Sequence, residues 1–154
     1  GQQNLGDEET VAWEAESLEN VVAQHKKDYG FTSLAIGADQ LFDQILRDRG
    51  IAYKAVLPCR EIEKTFQTQG HLENYRRLVG NAASVETLDF IEPAEIAFFE
   101  AGKRVIDLSK IVIAVGDGLP AKGLGGTADA GEYSRDPKKR GVHINPVNKK
   151  MRKL

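Results

Sequence analysis

The chain has 154 residues, 41% of them hydrophobic, and a formal charge of -2 at pH 7. That length buries one substantial core, and no apolar run approaches the roughly 20 residues of a membrane span, so residues 1–154 read as a single soluble domain without a membrane partner. The near-neutral balance supplies no bulk attraction for nucleic acid, and the one cysteine, Cys59, cannot close an internal disulfide, which fits a reducing cytoplasm.

In chain order, a first helix is expected from Asp7 to Lys27, capped by Asp7, with Val11, Ala15, Leu18 and Val22 inward. Trp13 falls on the opposite face, where it covers a loop or marks a subunit contact. Residues 32–50 run from a short apolar strand through Gly37 into a helix with Leu41, Phe42 and Ile45 inward, ending at Gly50. YKAVLP at 53–58 repeats the strand signature. Two strands flanking a helix form a crossover in a parallel sheet, so their following loops share one edge. From Glu61 the pattern turns polar until a helix from His71 onward, with Leu72, Tyr75, Leu78 and Val79 inward. SVETLDF at 84–90 alternates like a half-exposed strand, and Pro93 can open a helix carrying Phe98, Ala101, Val105 and Leu108 inward. Phe98 and Phe99 are adjacent and cannot both face one core, which together with Trp13 points to a homo-oligomer. Ile111–Val115 is a buried strand, VHIN at 142–145 the last strand, and 146–154 a basic tail. Alternating helices and strands predict an α/β fold: three layers, with a mostly parallel sheet covered by helices on both faces.

Residues 111–129, IVIAVGDGLPAKGLGGTAD, carry the most chemistry. A buried strand passes through a glycine-rich bend into Gly125-Gly126-Thr127 at a helix start, where free N–H groups and the helix dipole face an anion. The bland alternative is a plain turn whose glycines only permit positive φ. Ligands of open α/β sheets bind at the carboxyl edge of the strands. Gly37 and Asp39, Pro58 to Arg60, and Gly116 to Thr127 would converge there, with Asp117 and Gly118 forming an opposing loop. Asp39 either contacts ligand or caps its helix. Arg60, Glu61, Tyr75, Arg76 and Arg77 border that crevice or are surface groups. Cys59 sits at a strand end as a nucleophile or, more commonly, as a small buried apolar residue. His25, His71 and His143 are far apart without paired spacing, so neither a metal site nor a resident cofactor is indicated.

The segments TSLAIGADQLFDQIL, YKAVLPC and IVIAVGDGLPAKGLGGTADAGEYSR, in that order over about residues 30–146, resemble those of the SLOG superfamily of Rossmann-like domains. That group includes Lonely Guy phosphoribohydrolases, the DNA-processing protein A family and sensor domains of bacterial conflict systems. The resemblance implies a nucleotide or nucleotide-derived ligand, with Gly125, Gly126 and Thr127 at its phosphate and Gly37 and Asp39 on the ribose side. Lonely Guy enzymes carry a catalytic glutamate in this loop and an arginine on the preceding helix. Those positions fall here on Ala130 and Ala101. Asp129 and Glu132 flank the first and Arg104 lies one turn from the second, so the resemblance implies a sensor or adaptor before an enzyme. The alternative is a nucleotide N-glycosidase with Asp129 or Glu132 as its carboxylate. DNA binding needs a basic groove; the cations of 135–154 read instead as a solvated tail without interleaved aromatics. Related domains begin with a strand before the first helix, whereas this sequence opens on Gly1-Gln2-Gln3-Asn4. Either that strand lies outside these residues or the sheet is built without it, and in the first case the sheet centre has an unpaired neighbour.

Overall fold

The structure, a computed structural model, describes residues 6–25, 29–35, 37–115 and 140–153. Helix α1 (Glu8–Ala23) starts where Asp7 accepts a hydrogen bond from Thr10 N at 2.8 Å, as the sequence predicts. Its inward face is rotated by about one residue from the expected stripe: Glu14, Ser17, Leu18, Val21 and Val22 are buried, while Val11 and Ala15 are only partly so. Trp13 is half-buried and packs against the domain's own core, which corrects its assignment to the opposite face. Strand β1 (Gly30–Thr32) leads to α2 (Ala38–Asp48) and β2 (Tyr53–Leu57). Gly50 ends the α2 turn at φ 69, the left-handed conformation a glycine adopts without steric cost. After a short 3-10 helix come α3 (Gln69–Asn81), β3 (Ser84–Thr87), α4 (Glu95–Leu108), β4 (Ile111–Val115), β5 (Arg140–Asn145) and β6 (Lys150–Lys153).

The strands form two ladders. In one, β1, β2 and β3 run parallel, with Gly30, Phe31 and Thr32 opposite Tyr53, Lys54 and Ala55. In the other, β4 pairs parallel with β5, and β5 antiparallel with β6. Tyr53 turns its hydroxyl to Leu78 O of α3 at 2.5 Å and shares its face with buried Ala55 and Leu57, so this side of the sheet lies under α2 and α3. Helix α1 packs on α2, and α4 packs on β1 and β2 before delivering the chain to β4. The result is an α/β, Rossmann-like arrangement whose core joins Leu18, Leu46, Tyr53, Leu78, Val115 and Ile144.

Two elements differ from expectation. All four residues of β3 are exposed, so it is an edge strand and not a half-buried one. Residues 150–153 are not a loose basic tail but β6. Asn145 Oδ1 accepts from Val147 N and Asn148 N, Lys149 adopts φ 51, and this turn folds the chain back on β5. Lys149 also pairs with Glu9 at 2.9 Å, fastening the turn to the start of α1.

Candidate functional site

The carboxyl end of β1 is built around side chains that bond to their own backbone. The Thr32 hydroxyl donates to Asp43 Oδ2 at 3.1 Å and accepts from Leu34 N at 3.1 Å. Leu34 is buried at φ 58, an uncommon conformation for a branched side chain, held by Gln40 Nε2 donating to its carbonyl at 3.2 Å. Gln40 is fixed in turn by Asn74 Nδ2 of α3 at 2.7 Å. The bend leads to Gly37, which occupies the N-cap of α2 at φ 96 and provides no side-chain cap. Glycine suits that φ, and among the described residues no side chain caps the start of the helix.

Asp39, in the first turn of α2, reaches back to the loop: its Oδ2 accepts from the Ser33 hydroxyl at 2.6 Å. The N-cap position belongs to Gly37, so Asp39 acts on the turn that follows β1. One helical turn further on, Asp43 is fully buried with Oδ1 lacking a hydrogen-bond partner. Burial first, and the charge of Asp39 second, push its carboxyl well above the usual carboxylate range, with the Thr32 hydrogen bond opposing them. Ser33, Ala38 and Asp39 border a cavity of about 460 Å³ that lies between β1 and β4.

Of the predicted site residues, Gly37 and Asp39 therefore stand together at the carboxyl end of β1. Asp117, Gly118, Gly125, Gly126, Thr127, Asp129 and Glu132, with Ala130, lie outside the described residues. The flanking charges are engaged elsewhere. Arg60 pairs with Asp89 at 2.9 Å, Arg76 makes two 2.9 Å bonds to Glu63, and Arg77 Nη2 donates to Gln44 Oε1 at 2.7 Å and to Asn74 Oδ1. Tyr75 is buried against the Phe66 ring at 4.7 Å, and burial pushes its hydroxyl up to about 12. Cys59 is 0% exposed and burial raises its thiol, so it is a packing residue. Ala101 is wholly buried in the α4 face, and Arg104 is bound to Glu86 of β3 at 3.2 Å. Among the described residues no group of three His, Cys, Asp or Glu side chains is placed to hold a metal ion, and no helix is long and apolar enough to cross a membrane. Sequence reasoning missed Thr32, Ser33, Gln40 and Asp43; the closely spaced Thr-Ser and Asp-Gln pairs across a strand-to-helix bend are the signal that marks them.

This layout defines a Rossmann-like α/β domain whose polar turn follows a parallel strand. The chain has a fold like that of DNA processing protein A. It matches the X-ray structure of that protein from Streptococcus pneumoniae with a TM-score of 0.66 at 17% identity, over 94% of this chain and 48% of that one. The chain thus spans about half the length of that protein. No protein-family profile and no curated protein matches the sequence.

Proposed function

We propose that this domain binds a nucleotide or nucleotide-derived ligand at the carboxyl edge of its sheet, as a sensor or adaptor. The observation that carries the reading is the turn from β1 into α2: Gly37 leaves the helix start without a side-chain cap, beside the Asp39 carboxylate and the Ser33 hydroxyl. Helix N-H groups suit a phosphate, and a carboxylate at a strand end suits ribose hydroxyls. In this reading Gly125, Gly126 and Thr127 hold the phosphate, Gly37 and Asp39 shape the ribose side, and Asp117 and Gly118 close the opposite wall. Binding is favoured over N-glycosidic cleavage because Ala101, where the resembled enzymes carry their arginine, is core, and Arg104 is engaged by Glu86. The same reading includes self-association through the outer side of α4, where Phe99 is half-buried and Ile96 exposed three residues before it.

A thermal-shift screen against nucleotides, cyclic nucleotides and ADP-ribose derivatives tests the proposal, since a ligand preferring the folded state raises Tm. A nucleotide that raises Tm in wild type and fails to do so in Gly126→Val and Asp39→Asn is expected. Absence of any nucleotide-dependent shift overturns the reading.

A further inference from the structure

Strand β6 is the outer strand of its ladder, and all four of its residues are exposed. Arg140 N donates to Lys110 O, so the even-numbered residues of β5 turn their backbone groups toward β4, while His143 and Asn145 turn theirs toward β6. His143 lies opposite Arg152, and Asn145 opposite Lys150. Arg152 and Lys150 therefore face β5 with their backbone groups, and Met151 and Lys153 direct their N–H and C=O outward. Among the described residues no strand pairs with that outer edge. Its charge is also unmatched. Cations elsewhere meet carboxylates: Arg60 meets Asp89, Arg76 meets Glu63, Arg104 meets Glu86, and Lys149, beside β6, meets Glu9. Among the described residues no carboxylate lies within ion-pair distance of Lys150, Arg152 or Lys153. Arg152 Nε donates to His143 Nδ1 at 3.3 Å, and a ring nitrogen that accepts a hydrogen bond brings no counter-charge. Two apolar side chains stand among these cations, Met151 at 46% exposure and Val147 at 75%.

We propose that β6 is a docking edge for an acidic, extended segment of another protein, which adds to the β4–β5–β6 ladder as a further strand. Side chains alternate along β6, so Lys150 and Arg152 project from one face of the ladder, and Met151 and Lys153 from the other. A segment of alternating Glu and Val matches both faces. Its carboxylates meet Lys150 and Arg152, while its aliphatic side chains lie on Met151 and the methylene stem of Lys153. Methionine is an adaptable side chain for such a contact. The backbone of the edge decides the class of partner. The outward C=O groups of Met151 and Lys153 need donors and their N–H groups need acceptors, and an extended peptide supplies the two in alternation. A phosphodiester chain offers acceptors alone, so the edge fits an acidic peptide better than a nucleic acid.

The test combines fluorescence anisotropy and amide hydrogen exchange on the 154-residue protein with the synthetic peptide GTEVEVETG. The peptide is expected to bind and to slow exchange at Met151 and Lys153 at least tenfold. GTKVKVKTG, of opposite charge, should bind at least tenfold more weakly. So should GTEPEPETG, which keeps the carboxylates and loses both amide donors and strand geometry. Lys150→Glu combined with Lys153→Glu should weaken GTEVEVETG at least tenfold without lowering Tm, since neither side chain meets a carboxylate in the fold. Three outcomes overturn the proposal. The first is no protection at saturating GTEVEVETG, which means that the cations only blunt the edge against unwanted pairing. The second is equal binding of GTEPEPETG, which means a charged patch without strand addition. The third is a single-stranded oligothymidylate that binds more tightly than GTEVEVETG and is weakened by the same two substitutions, which means a nucleic-acid surface.

Discussion

Thr32 and Asp43 meet in the core at 3.1 Å, and the same Thr32 oxygen accepts the Leu34 amide, so one hydroxyl serves both a buried carboxyl and the backbone of a left-handed turn. Valine has nearly the same shape and no hydroxyl. Thr32→Val should destabilise the protein by about 1–3 kcal/mol in urea denaturation, because the Leu34 amide and Asp43 Oδ2 both lose their partner. A loss below about 0.5 kcal/mol would show that the hydroxyl is dispensable.

Glu14 gives stability a pH dependence. It is 0% exposed, neither carboxyl oxygen has a hydrogen-bond partner, and burial pushes it up from an ordinary 4.5 to about 7. A raised carboxyl pKa means that the folded state holds the proton more tightly than the unfolded chain. The associated stability is complete below 4.5 and is lost as pH rises toward about 7. Asp43 acts in the same sense above its ordinary 3.8. Glu14→Gln should therefore flatten the decline in Tm across this interval and exceed wild type at pH 8. Parallel Tm profiles for the two proteins would refute the assignment.

Gly30 lies where α2 crosses β1. A methyl there would stand 2.1 Å from Leu46 Cδ1, so the buried Leu46 side chain, which borders the cavity, would have to leave its packed position. Gly30→Ala should cost about 1–3 kcal/mol of stability by overpacking. In a double-mutant cycle, Gly30→Ala combined with Leu46→Ala should lose less than the two singles together. Strict additivity would place the cost in the backbone instead.

Incubation with AMP or related monophosphates should release no free base by chromatography, consistent with a buried Ala101 and an Arg104 occupied by Glu86. Release that disappears in Asp129→Asn or Glu132→Gln would reverse the preference for a sensor over a hydrolase.

Light scattering at micromolar concentration should report a dimer or larger species, and Phe99→Glu should return it to monomer. Phe99 is half-buried under Lys103, whose Nζ sits 4.8 Å from the ring centre, so the variant tests the outer side of α4 without opening the core. A monomeric wild type removes the assembly, whereas a dimer that survives Phe99→Glu moves the contact elsewhere.

Much of the fold was legible where periodicity and turn chemistry agree. The Asp7 cap, the strand at 53–57, the buried strand at 111–115 and the Gly50 stop all follow from local rules. The α1 stripe was displaced because a carboxylate at position 14 looks like a surface residue, and only packing against the rest of the domain puts it inside. LysMetArgLys at 150–153 carries no strand signature. It becomes β6 because the Asn145 turn aims it at β5. At the candidate site, Gly37 and Asp39 were recognisable from GAD after a strand. The polar relay from Thr32 and Gln40 to Asn74 depends on which α3 side chain meets α2, a relation that spans 34 residues.

The gap between β1 and β4 also governs how the molecule comes apart. A strand ladder makes its members open together, and no ladder crosses this line among the described residues. Among the described residues side-chain packing and α4 join the β4–β5–β6 ladder to the rest, so it is expected to open at a free energy below that of global unfolding while β1–β2–β3 stays closed beneath α2 and α3.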